Sequence, residues 1–239
     1  MNALTRLLVV VLALCSAIAA DARSHHHGNG QSQSGSQSDS QSGSQRNVPG
    51  QFDYYLLSLS WSPNYCSGHP NDAQQCGAQR FGFVLHGLWP QYTNGYPSNC
   101  SDAAMPAAVK QQYANLYPSD KLMAHEWPKH GTCSGLSAAD YLALSKKLKD
   151  GVTIPARYQA PAQPFRVTIG ALQNDFAQSN PGMPADAVTM ICSGSGRFLE
   201  EIHVCYDKAD AKARSCGSDV QKQMQKSCGQ PDFLVKSIR

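Results

Sequence analysis

The stretch Tyr54-Tyr55-Leu56-Leu57-Ser58-Leu59-Ser60-Trp61 decides how the chain is read. Tyr55, Leu57 and Leu59 alternate with Tyr54, Leu56, Ser58 and Ser60, and both sets are mostly apolar. A strand with one wet face alternates cleanly between apolar and polar residues. This one reads instead as a central strand covered on both faces. A Pro/Asn/Cys/Gly loop follows it to Arg80, and Phe81 to Leu85 reads as a second strand with His86 at its end. Met105, Val109, Tyr113 and Leu116 fall at helical spacing, and Pro118 stops that helix. Ser137 has the form of an N-cap, with Asp140 three residues on and Tyr141, Leu144 and Leu148 along one face. Thr168 to Phe176 predicts a third helix with Ile169, Leu172 and Phe176 inward, and Leu199 to Tyr206 a late strand. The expected class is α+β, a mainly antiparallel central sheet flanked by helices.

Upstream, residues 1–22 read as a secretory signal peptide: Arg6, an apolar run from Leu7 to Leu14, then small residues around Ala17 and Ala22. The run is too short to span a bilayer, and no membrane anchor is expected elsewhere. Residues 23–50 are a Ser/Gln/Gly tract that reads as a disordered linker, its His25, His26 and His27 as solvated tail residues. Residues 51–239 suffice for one domain with a sizeable core. The net charge of +3 permits a polyanionic partner without demanding one. Lys146, Lys147 and Lys149 read as a solvated helix face. Of nine cysteines, Cys15 leaves with the signal. The even remainder implies an oxidising compartment, secreted or periplasmic, and a disulfide framework whose pairing the spacing leaves open.

The chemistry concentrates in His125-Glu126-Trp127-Pro128-Lys129-His130-Gly131-Thr132-Cys133 and in Phe83-Val84-Leu85-His86-Gly87-Leu88-Trp89-Pro90. The first block is not a zinc-protease helix, which needs histidines at i and i+4. On a helix starting near Glu126, Pro128 would sit in the first turn, with Glu126 and His130 on one face and His125 and Lys129 on an adjacent one. Imidazoles suit proton transfer near neutral pH. Glu126 can orient one, and Lys129 can hold charge on a phosphoryl oxygen. With His86 from another element, this is a set for cleaving a phosphodiester by the substrate's own 2′-hydroxyl. No metal and no cofactor are expected.

These two blocks resemble the two active-site segments of the ribonuclease T2 family of secreted RNA endonucleases. The resemblance extends over most of residues 52–239, including Trp61 to Cys66 and Tyr96 to Cys100. It implies His86 and His130 as the acid–base pair, in an order left open, and Glu126 and Lys129 as stabilisers of the transition state. It implies His125 as a phosphate ligand and Trp89, Gln91 and Tyr96 as candidate base-binding residues, Trp89 foremost as a stacking platform. It also implies the pairs Cys66–Cys76, Cys100–Cys133, Cys192–Cys228 and Cys205–Cys216, the second tethering the two active-site segments to each other. Departures from the family pattern at Ser60, Gln91, Leu122, Met123 and Pro128 bear on base preference and remove no catalytic group. His69 and His203 read as structural or solvated, and Asn99-Cys100-Ser101 is a glycosylation sequon. The implied activity is metal-independent cleavage of single-stranded RNA through a 2′,3′-cyclic phosphate to 3′-phosphate ends, without DNA cleavage, by a monomer. The rival class is a non-catalytic RNA-binding or signalling protein on the same scaffold. Retention of all five charged or imidazole groups favours the enzyme.

Overall fold

Strand β1, Tyr54–Trp61, is buried at every position but Ser60. In the computed structural model, which describes residues 46–238, it lies between β2 (Phe83–Gln91) and β5 (Phe198–Asp207), antiparallel to both. β4 (Val188–Ser193) also pairs with β5. β6 (Phe233–Val235) joins it at one parallel pairing, and β3 (Phe165–Val167) closes the other edge. The sheet is therefore mixed but mainly antiparallel. The signal-peptide expectation for residues 1–22 lies outside the described residues. Residues 47–50, which composition places in the linker, are held against the fold: Gly50 N donates to Cys133 O at 2.9 Å and Asn47 N to Tyr92 Oη at 3.1 Å.

Helices α1 (Ser62–Gly68) and α2 (Ala73–Cys76) fill the loop between β1 and β2. Next come α3 (Ala107–Gln112), α4 (Asp120–Lys129) and α5 (Ala138–Gly151), then α6 (Ala156–Gln159) and α7 (Ile169–Ser179). The last helix, α8 (Ser218–Ser227), precedes β6. Ser137 caps α5 as expected, accepting from Asp140 N, and Thr168, expected inside the third helix, instead caps α7 by accepting from Ala171 N. The helix expected over 105–116 is shorter. Met105, Val109, Tyr113 and Leu116 all pack partly buried against the core, as their spacing implied, but none of the helical residues is fully buried and the chain after Gln112 continues as turns.

The two faces of β1 have different fates. Tyr55, Leu57, Leu59 and Trp61 enter the main core with Leu85, Leu88 and the inward residues of α5 and α7. Each fully buried side chain of this size contributes about 1.5–3 kcal/mol. On the opposite face Tyr54 and Leu56 pack with Cys205, Cys216 and Val220. That face then turns polar at Ser58 and Ser60, which lie opposite His203 and Glu201 of β5.

β2 corrects one expectation. His86 does not end the strand; pairing runs on to Gln91. Ser58 pairs with Gly87 and Leu59 with Leu85, so His86 is the unpaired residue of a β-bulge. The bulge lets Leu85 and Leu88, three apart, face the same core, which a regular strand forbids. Pro90 is tolerated because β2 is an edge strand.

Candidate active site

α4 carries the second block. It starts at Asp120 rather than near Glu126, because Ser119 accepts a bond from Leu122 N at 3.2 Å and Asp120 sits at the positive helix end. Pro128 therefore falls in the last turn, not the first. Met123, Glu126 and Trp127 form the buried face, while His125 is exposed and Lys129 half-buried. His130 is the residue at which the helix ends; its N donates to Glu126 O at 2.9 Å, so the expected i, i+4 relation of Glu126 and His130 holds.

Glu126 joins the two blocks. Its Oε2 accepts from Trp89 Nε1 at 2.6 Å, and its Oε1 lies 3.7 Å from His86 Nε2. Gly87 makes this approach possible: a Cβ there would stand 2.1 Å from Glu126 Oε2. The Trp89 ring lies 5.1 Å from the His86 ring, edge-on, and 5.2 Å from the His130 ring, stacked. Tyr96 is 5.9 Å from His130 and 54% exposed. Of the residues expected at the site, the fold brings His86, Trp89, Tyr96, Glu126 and His130 together by direct contact. His125 and Lys129 act on the imidazoles through their charges. Gln91 is the exception. It is buried, its amide nitrogen on Pro90 O at 3.2 Å, and the expectation that it meets a base finds no surface here.

The two central imidazoles are biased in opposite directions. Burial disfavours the charged form of His130, and the neighbouring cations Lys129, His86 and His125 add to this, lowering its pKa to about 3. Its Nδ1 is buried without a hydrogen-bond partner. Burial also works against charged His86, but a bond to Glu201 and the charges of Glu201 and Glu126 outweigh it and raise its pKa. Burial raises the pKa of Glu126, opposed by His86, the Trp89 bond and Lys129. His125 is lowered by burial, then by Lys129 and His86.

Glu201 is the residue that sequence reasoning missed. It stands beside His86 Nδ1, and His203, read above as structural or solvated, bonds its other oxygen at 3.0 Å. The available signal was two ionisable residues on one face of a strand whose other face is Ile202, Val204 and Tyr206.

All four disulfides pair as the resemblance implied. Cys100–Cys133 does something other than expected. It joins the loop carrying Tyr96, not the Phe83–Pro90 segment, to the turn after His130. Asn99 N to Lys129 O at 3.0 Å and Cys100 N to Thr132 Oγ1 at 3.2 Å reinforce it. β2 is tied to α4 by Glu126 and to α5 by Tyr141 Oη on Leu88 O at 2.9 Å. Among the described residues no group of three or more His, Cys, Asp or Glu side chains is arranged to hold a metal ion. No described helix is long and apolar enough to cross a membrane.

Comparison with known proteins bears on the family and the fold. The Ribonuclease T2 family model matches residues 52–216. The chain is 42% identical over 194 residues to a ribonuclease of Aeromonas hydrophila, covering 80% of this chain and 88% of that one. It is 30% identical to ribonuclease DdI of Dictyostelium discoideum, over 72% of this chain and 81% of that one. In fold it is similar to ribonuclease MC1 from bitter gourd seeds, with a TM-score of 0.57 at 20% identity, covering 69% of this chain and 94% of that one.

Proposed function

This chain belongs to the ribonuclease T2 family of RNA endonucleases, and on that premise we propose a metal-independent mechanism for it. Single-stranded RNA is cleaved when the 2′-hydroxyl attacks the adjacent phosphorus. His130, neutral over the working range, takes the hydroxyl proton, and His86, protonated, gives one to the departing 5′-oxygen. The products are a 2′,3′-cyclic phosphate and a free 5′-hydroxyl. Water then opens the cyclic ester to a 3′-phosphate with the two roles exchanged. Support comes from one observation: two imidazoles of opposite bias lie against a single indole. The phosphate's negative charge, entering beside Lys129 and His125, offsets the cations that depress His130 and makes it a better base in the complex.

Lys129 holds charge on a phosphoryl oxygen as the pentacovalent state forms, and His125 binds the phosphate. Glu126 keeps its proton to higher pH than an exposed glutamate, because burial raises its pKa. Its Oε2 is fixed by the Trp89 N–H, and its Oε1, 3.7 Å from His86 Nε2, steadies the protonated imidazole beside the pentacovalent phosphorus. Trp89 thus serves the catalytic groups first. The exposed aromatic, Tyr96, takes the larger share of base stacking. DNA, lacking the nucleophile, is not cut. Four disulfides fit export to an oxidising compartment, secreted or periplasmic.

Two experiments test this reading. With single-stranded RNA in excess EDTA, cleavage persists, and mass spectrometry finds 2′,3′-cyclic phosphate ends first and 3′-phosphates later. Activity lost on chelation and restored by zinc or magnesium, or 5′-phosphate ends, overturns the mechanism. Tyr96→Ala raises KM for dinucleoside phosphates, by roughly 1–3 kcal/mol of lost stacking, with kcat close to wild type. Unchanged KM removes Tyr96 from the base site.

A further inference from the structure

Behind His86 the sheet carries a partly buried polar row that the mechanism above leaves unused. Ser58 and Ser60 project from β1, Glu201 and His203 from the facing positions of β5. A carboxylate has room for about four hydrogen bonds, and Glu201 receives four. Ser60 Oγ donates to Oε1 at 3.0 Å, and Ser58 Oγ to Oε2 at 3.0 Å. His203 Nε2 bonds Oε2 at 3.0 Å, and His86 Nδ1 bonds Oε1. The Glu201 side chain is 13% exposed, His203 is buried, and the His86 side chain keeps 30% of its surface open. A second β-bulge, between Ile191 and Cys192 on the β4 side, leaves Glu200 unpaired and sets the register of Glu201 against β4.

We propose that Glu201 is the positioning residue of this enzyme. It holds the His86 imidazole with Nδ1–H turned into the sheet and Nε2 turned toward Glu126 and the scissile phosphate. The proposal rests on the acid role given to His86 above. The geometry favours it because His86 is the bulged residue, with no cross-strand partner to fix it. A ring on such a residue needs an anchor, and the anchor is a carboxylate whose other bonds are all taken. Around His86 the charged or titratable groups are Glu200, Glu201 and His203 from β5, His125, Glu126 and Lys129 from α4, and His130 beyond its end. Glu201 is the one with an ionic hydrogen bond to the ring. Burial opposes its charge, but the bonds from His203 and His86 outweigh burial and hold it well below the usual carboxylate range. The anionic carboxylate in turn keeps His86 protonated to higher pH. His203 holds the second oxygen and is placed to lock the carboxylate's rotation.

The test is Glu201→Gln, which keeps the shape and removes the charge. Expected are a fall in kcat of at least about 10-fold, as for a misoriented acid–base group, and a KM changed by less than about 3-fold, since no substrate contact is lost. The alkaline limb of kcat/KM moves to lower pH, because a His86 without its anion loses its proton sooner. His203→Gln shifts the same limb less. If Glu201→Gln fails to fold, NMR on the wild-type protein decides: neutral His86 carries its proton on Nδ1 and titrates above His125 and His130. Unmoved limbs in Glu201→Gln, or a wild-type His86 protonated on Nε2, overturn the proposal. The NMR measurement needs no turnover, so it separates this proposal from the RNA mechanism, which fails instead if the wild-type protein does not cleave RNA in EDTA.

Discussion

His86→Ala and His130→Ala each lower kcat on RNA by about 10²–10⁴-fold, the range lost with one general acid or base. The two variants are expected to differ in the limb of the pH profile they lose. The base must be unprotonated, so the acidic limb of kcat/KM reports His130. Its pKa is depressed to about 3 by burial and by Lys129, His86 and His125, so this limb lies far toward acid in the free enzyme. The acid must be protonated, so the alkaline limb reports His86, whose pKa Glu201 and Glu126 raise. Residual activity of His130→Ala should lack the acidic limb, and that of His86→Ala the alkaline one. Steady-state kinetics on a dinucleoside phosphate from acidic to mildly alkaline pH reads both. Near-normal kcat in either variant refutes the pair. Loss of the same limb in both refutes the assignment of acid and base while leaving the pair intact. A wild-type protein that binds RNA without turnover favours the binding-protein class instead.

The parts of this fold legible in the sequence are those where local chemistry and burial agree. β1 reads as a doubly covered strand because six of its eight residues are apolar and the sheet buries both faces. α5 reads from Ser137, whose side chain caps the first turn whatever lies around it, and α7 from the helical spacing of Ile169, Leu172 and Phe176, of which Leu172 and Phe176 are fully buried. The misreadings share a physical cause. Alternation of apolar residues is broken at His86 by the bulge, so the periodic signal of β2 ends there although the hydrogen bonds continue. The start of α4 hides behind Pro118. That proline reads as the stop of one helix, yet Ser119 beside it caps the next.

The site divides in the same way. His86, His125, Glu126, Lys129 and His130 are legible because they crowd two short blocks. Glu201 is not, because it lies 115 residues from its partner His86 and reaches it only through the pairing of β5 with β1. Long-range register of this kind leaves a weak trace: Ser58 and Ser60 in an otherwise apolar strand mark the columns where Glu201 and His203 dock. Trp89 is legible as an aromatic beside the catalyst, but its N–H bond to Glu126 depends on α4 crossing β2 at Gly87, where no side chain intervenes.

The largest effect is expected from the substrate rather than from the protein. In an otherwise deoxyribose strand carrying one ribonucleotide, cleavage occurs only on the 3′ side of that ribonucleotide. Replacing it by its 2′-deoxy counterpart abolishes cutting. The contacts assigned to His86, Glu126, Lys129 and His125 remain available to the deoxy phosphate, and His130 loses only the hydroxyl whose proton it takes, so binding persists and the strand competes with RNA as an inhibitor. What disappears is the nucleophile, held next to phosphorus by the ribose itself. Well-oriented intramolecular groups reach effective molarities on the order of 10⁵–10⁸ M. No side-chain substitution in this site removes so much. Gel analysis of the end-labelled chimera and its all-deoxy control measures it directly. A water-activated mechanism predicts comparable cutting of both strands, so cleavage of the all-deoxy control within about 10³-fold of the chimera overturns attack by the 2′-hydroxyl. Inhibition by the deoxy strand without cleavage is the outcome that fits a site whose residues move protons and hold charge while the RNA supplies the attacking oxygen.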